Sequence, residues 1–389
     1  MRAVLFFLII ICYSSVNASD SLIITKLLQR IDALQAKNDI VFPQGSIPSY
    51  RMYAHNRTRY KADINPFFTA LTAFTLHDIK KDLSPSQLQL ATAIIQNTAT
   101  VYSKFKSQKK GRFTYNFWPT DQPQIFTHSG WLNLLNKSKS LPDDLDDTVI
   151  ILMAEQASDS LANEVHQLMQ AHANNTSKRV NNTFSDYHHL PAYSTWFGKK
   201  MAIDLDISVL TNILYFVQYY QLPWTSADSA SLLLIEDAIR KNRHITAANY
   251  ISTHYARLPV ILYHISRLMA LKPIASLEKL KPQLIEDTKK ALSTANTFMD
   301  QVILSTALLR WGIVPPEIQI QDKSPFIDLI EDEKFYFFIA NMGSIMPDQK
   351  KKFMTKTKLG TFYYYCPAYN HVLLLENLVW RKRMGRLTQ

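Results

Sequence analysis

The stretch Pro142-Asp143-Asp144-Leu145-Asp146-Asp147-Thr148 decides how this chain is read. Four carboxylates stand within five residues. Pro142 precedes them, and Val149, Leu152 and Met153 continue at helical spacing, so the acids occupy the first turn of a helix. There Asp143, Asp146 and Asp147 share one face by i, i+3, i+4 spacing. Crowded carboxylates repel one another, which raises the pKa of some of them and favours cations. Aspartate is also a favoured cap and first-turn residue, because it satisfies free N–H groups and the helix dipole. Capping accounts for one or two of these acids but not for four.

Outward from this point the chain is a succession of helix signals. Towards the N-terminus, Ile23, Leu27, Leu28, Ile31 and Leu34 recur at helical spacing, Asn65-Pro66-Phe67-Phe68 opens a helix through Leu76, and Ser84-Pro85 caps another through Ile95. Residues 107–142 carry most of the loop signals. Towards the C-terminus, Leu161 to Met169, Leu205–Tyr220, Ala227–Lys241, Leu258–Leu271, Lys279–Leu309 (read as one helix or two) and Tyr369–Arg381 all fit helices. Phe335 to Ile339 and Thr361 to Tyr365 are the best candidates for short strands, or else buried aromatic helix segments. Ten to twelve helices in pairs predict an all-α fold. Paired helices in this number can bury both apolar faces by stacking in a line or by closing into a ring, and the closed α/α toroid, with its site at one mouth, is the expected architecture.

Met1-Arg2-Ala3, the apolar run Val4–Cys12 and Val16-Asn17-Ala18 form the three parts of a secretory signal. Cleavage is expected after Ala18, leaving residues 19–389 as one domain, exported to the periplasm or the medium. The apolar run is shorter than the ~20 residues a bilayer span needs, and no later segment reaches that length. Loss of Cys12 leaves Cys366 alone, so no internal disulfide forms and a packed core must supply the stability. Lys plus Arg exceeds Asp plus Glu by 43 to 32. The excess is diffuse apart from the run Trp380–Arg386, and it suits solubility or peripheral contact with an anionic membrane surface; export argues against nucleic acid as a partner. Eight glycines in 389 residues, about 2% against a typical ~7%, leave no glycine-rich phosphate cradle. No H-E-x-x-H and no cysteine pair supports a zinc site.

Asp144-Leu145-Asp146-Asp147-Thr148 resembles the D-x-D-D-T motif of class II terpenoid cyclases, whose helical domains are α/α toroids shared in fold with squalene cyclases and protein prenyltransferase β-subunits. The resemblance covers these five residues and a coarse helical layout; the Q-x-x-x-G-x-W repeats of squalene cyclases are absent, with Gly130-Trp131 a fragment at most. It implies that Asp146 protonates an alkene or epoxide of an isoprenoid, with Asp144 and Asp147 holding its proton in place. Phe117, Trp118, Tyr193, Trp196 and Phe197 are the aromatic candidates for stabilising a carbocation. Asp143, Asp144 and Asp147 also fit D-D-x-x-D, the magnesium–diphosphate motif of class I prenyl enzymes, which would bring Mg2+ as a cofactor.

Two further groups are candidates for substrate contact. The aromatic loop Tyr193 to Met201 leads into Asp204-Leu205-Asp206, a second acidic helix start. If both acid clusters face one cavity, Asp146 and Asp206 make the carboxylate pair of a glycan-active enzyme. His254, Tyr255, Arg257, Tyr263, His264 and Arg267 could bind an anionic or sugar ligand. The sequence therefore supports three functions: a cyclase-like acid catalyst, a secreted glycan-active enzyme, and a ring that binds a ligand or partner without catalysis.

Overall fold

The computed structural model describes residues 21–121, 141–198, 201–316, 318 and 325–387. The expected leader with Cys12, and Gly130-Trp131, lie outside the described residues.

The helices follow the apolar periodicity closely. They are α1 (21–34), α2 (Phe67–Ile79), α3 (Pro85–Thr98), α4 (Leu145–Ala154), α5 (Asp159–Gln170), α6 (Ile207–Tyr219) and α7 (Ser226–Arg240). Then come the single turns α8 (Arg243–Thr246) and α9 (Ala248–Ile251), followed by α10 (Leu258–Leu271), α11 (Ala275–Glu278), α12 (Lys281–Ser293), α13 (Phe298–Arg310), α14 (Phe326–Ile330), α15 (Asp348–Thr357) and α16 (Pro367–Leu387). Their starts are chemically marked. Ser84 and Gln87 form a capping box on α3, Thr225 and Asp228 form another on α7, and Asp144 and Asp206 cap α4 and α6. The Lys279–Leu309 segment divides into α12 and α13, and Thr297 caps the second.

Six helices close a ring. α2 packs on α4, α4 on α6, α6 on α10, α10 on α13, α13 on α16, and α16 returns to α2. The ring helices are largely buried: all ten residues of α4 are buried, and α6 buries everything from Ile207 to Val217. α3, α7 and α12 cover α2, α6 and α13 from outside. The six ring helices run the same way. Near their starts Phe68 meets Tyr369 and Arg257 bonds Asp300; near their ends Phe74 meets Tyr215 and Arg383 bonds Asp82.

The fold is nevertheless not all-α, and that expectation is corrected here. Strands β1 (Ser49–Tyr53), β2 (Asn56–Asp63), β3 (Phe338–Asn341) and β4 (Thr361–Tyr365) form one antiparallel sheet in the order β2-β1-β4-β3. The chain is a mixed α/β protein whose helical ring is compatible with a toroid. β3 and β4 fall on the two aromatic segments noted in the sequence. The β1–β2 hairpin went unseen for two reasons. It turns through Ala54 and His55, without the Asn-Gly type of signal that marks tight hairpins. In addition, β2 is an exposed, Arg- and Lys-bearing edge strand with no apolar face to alternate. The sheet lies over the end of the ring where the helices begin. Phe338 packs 4.7 Å from Phe67 and 5.6 Å from Tyr255, and Tyr364 packs edge-on to Phe117 at 5.7 Å.

No described helix is long and apolar enough to cross a membrane. Within the basic C-terminal run, Arg383 and Arg386 both bond Asp82 just beyond α2, so part of that charge is used inside the molecule.

Candidate functional site

The four acids after Pro142 are all buried, and they do four different things. Asp143 accepts from Thr114 Oγ1 at 2.7 Å. Asp144 caps α4: its Oδ1 accepts from the backbone N–H of Asp146 at 2.7 Å and of Asp147 at 3.2 Å. Its own backbone is clamped between Tyr115 and Trp196 by isolated β-bridges, which fixes where the helix begins. Asp146 is held from both sides: Asn212 Nδ2 donates to its Oδ1 at 2.7 Å, and the Tyr255 hydroxyl donates to its Oδ2. Asp147 is 1% exposed, and neither of its carboxylate oxygens has a hydrogen-bond partner among the described residues.

That difference sets the protonation order. Burial pushes the Asp146 carboxyl up to about 6, against the pull of its donors Tyr255 and Asn212. Asp144 and Asp147 both rise, first from burial and then from neighbouring carboxylates. Asp144 is the better anion of the two, because backbone N–H groups donate to it. Asp147 receives no donor among the described residues, so its acid form is favoured over that of Asp144.

Beside them lies His254. Its Nε2 is 2.7 Å from Asp204 Oδ2, its backbone N–H donates to Asp206 Oδ2 at 2.8 Å, and its ring stacks on Phe338. Burial opposes its charge, but Asp204, Asp206 and Asp144 outweigh that and push it up to about 9. It is therefore an imidazolium at neutral pH, and it offsets part of the buried negative charge.

A cavity of about 20 Å³ opens among Phe67, Phe117, Trp118, Trp196, Phe338 and the carboxyls of Asp144, Asp146 and Asp147, with His254 on its wall. A cavity of that size holds about one water molecule. Of the residues singled out in the sequence, it gathers Phe117, Trp118, Asp144, Asp146, Asp147, Trp196 and His254.

The other candidates lie elsewhere. Asp206 is a cap and a tie: Ser208 N, Val209 N, Ser252 Oγ and His254 N all donate to it. Asp206 is not among the residues that line the cavity. Asp204 stands behind His254. Tyr193 belongs to a separate buried cluster, donating to Asp228 Oδ1 at 3.0 Å beside His166. Phe197 packs on His172. His264 donates Nδ1–H to the Val260 carbonyl, and burial holds its ring neutral, well below the usual imidazole range. Arg267 donates to the Asn212 side-chain carbonyl and reaches the far end of the ring.

Among the described residues, no three His, Cys, Asp or Glu side chains are grouped to hold a metal ion. Asp143, bonded to Thr114, does not converge with Asp144 and Asp147 as the D-D-x-x-D pattern requires. Asn212, Phe67 and Phe338 were not foreseen as site residues. Asn212 and Phe67 come from ring helices that read as ordinary core, and Phe338 from strand β3; only the ring closure and the sheet over its end bring them to α4. Compared with known proteins, the chain matches no family model, no curated protein and no solved structure.

Proposed function

We propose that this end of the ring is a Brønsted-acid site, and that the protein is an exported catalyst of proton-initiated rearrangement in an isoprenoid-like substrate. The observation that carries the reading is Asp147: a carboxyl without hydrogen-bond partners, kept protonated by burial and by two neighbouring acids, on the wall of an aromatic cavity. Its O–H proton passes to one carbon of an alkene, or to an epoxide oxygen, and leaves a carboxylate and a carbocation. Phe67, Trp118, Trp196 and Phe338 line the space where that charge develops, and the electron-rich faces of such rings attract cations. Loss of a proton from the cation to a site carboxylate then closes the cycle, so the net reaction is isomerisation or cyclisation. This moves the donor from Asp146 to Asp147 and makes Asp146, bonded to Tyr255 and Asn212, the fixed negative charge. Substrate entry requires the aromatic lining to part, because the cavity has room for only about one water.

Deuterium uptake from D2O tests this. The purified protein is incubated with linear isoprenoid alkenes and epoxides, and with oligosaccharides as a control class. Deuterium is expected in a rearranged isoprenoid product, and Asp147→Asn is expected to abolish it. Turnover that survives Asp147→Asn, or turnover confined to the oligosaccharides, would overturn the proposal.

A further inference from the structure

The ring has a second end, and the groups there do not balance. Where the six helices finish, a cavity of about 140 Å³ is lined by Phe74, Tyr215, Arg267, Ala270, Arg310 and Trp380, among others. Three guanidinium groups and two carboxylates face it. Arg310 is paired with Glu376, which also accepts from the Tyr263 hydroxyl at 2.6 Å. Arg383 is paired with Asp82 at 2.9 Å and stands 3.5 Å from Asp78. Arg267 is left. It is buried, and no carboxylate among the described residues lies within ion-pair distance of it. Its Nη2 donates to the neutral side chain of Asn212, and its Nη1 is out of solvent without an acceptor. The rings of Phe74, Tyr263 and Tyr215 surround it at 5.3, 5.7 and 5.9 Å.

A buried cationic donor without an acceptor is costly, and a planar two-oxygen anion matches the guanidinium fork better than any other partner. We infer that this rear cavity is a binding site for a small organic anion, a carboxylate on a flat apolar body, held by Arg267 at the charged end. The walls argue for the flat body: Phe74, Tyr215 and Trp380 supply aromatic surface, and Ala270 leaves the gap between them. The volume limits its size. Drug-sized ligands occupy about 300 Å³ or more, so this occupant is no larger than a single ring with its carboxyl group. The site stands apart from the acid cavity, and its test does not depend on the function proposed for that cavity.

The experiment is calorimetric titration of the full chain with sodium benzoate at constant ionic strength, alongside benzamide and inorganic phosphate. Saturable one-site binding of benzoate is expected, with benzamide and phosphate weaker by about tenfold or more. Ala270→Leu fills the cavity without touching a charge and should weaken benzoate by about tenfold; Arg267→Gln should abolish binding. If Arg267→Gln fails to fold, Ala270→Leu decides the matter alone. Absence of saturable binding in the unmodified protein, equal binding by Ala270→Leu, or benzamide or phosphate binding as well as benzoate would each overturn the inference.

Discussion

Asp146 and Arg267 meet through a single side chain: Asn212 donates its amide to the carboxylate at 2.7 Å and takes the guanidinium on its carbonyl. The three lie on α4, α6 and α10, so the link crosses a third of the ring. Neither charge hydrogen-bonds the other, and both are held by the same neutral group, which Asp146 shares with the Tyr255 hydroxyl.

Asn212→Leu should therefore be far more damaging than loss of one neutral hydrogen bond. It strips a donor from Asp146 and leaves Arg267 with no acceptor, at a combined cost of about 2–4 kcal/mol. The loss should be larger at pH 8 than at pH 5, because Asp146 titrates at about 6 and needs its donor only when ionised. Urea unfolding at the two pH values measures both quantities.

Asp147 makes a contrasting case. Its folded-state pKa lies well above 3.8, so its stabilising contribution is complete below that value and is lost as pH rises through the folded pKa. Asp147→Asn keeps the shape and the neutral form. The variant should match the unmodified protein only below about pH 4 and exceed it by a margin that grows with pH, to about 2 kcal/mol or more towards neutrality. Melting curves across that range show whether the two lines diverge in this direction.

His254 titrates in the opposite chemical sense but within the same linkage rule. Its pKa rises from 6.5 to about 9, so the stability it adds is present below 6.5 and disappears as pH climbs through about 9. The full contribution is at most about 3 kcal/mol. His254→Gln should lose most of that near pH 6 and flatten the stability profile between the two pKa values. NMR titration of the imidazole in the unmodified protein gives an independent check on the raised value.

Gly198 sets the spacing between the Trp196 loop and the acid cluster. A Cβ there would stand 2.6 Å from Pro142 Cβ, and the adjoining Phe197 N–H donates to the Asp143 carbonyl at 3.0 Å. Gly198→Ala should destabilise by about 2 kcal/mol and push the cluster away from Trp196. Quenching or blue-shift changes in tryptophan fluorescence report the displacement.

Much of the helical scaffold was legible because the apolar residues recur at helical spacing and several starts carry side-chain caps. Asp144 and Asp206 were visible as acids at helix starts, and both proved to be caps. The sheet was only half legible, since β1 and β2 carry neither alternation nor a turn signal. The site was legible as a cluster but not as a division of labour. Which aspartate is free depends on which backbone N–H groups point at it, and that is a matter of angles rather than of composition. The partners of Asp146 could not be found at all from local sequence: Asn212 lies 66 residues away and Tyr255 lies 109 away.

α16 stands between α13 and α2, so the ring is shut only where that helix is seated. Burial is the largest cause of the raised Asp144 and Asp147 carboxyls. A change that unseats α16 and wets α4 would therefore bring those carboxyls back towards ordinary acidity, which ties the chemistry of one end of the chain to the helix at the other.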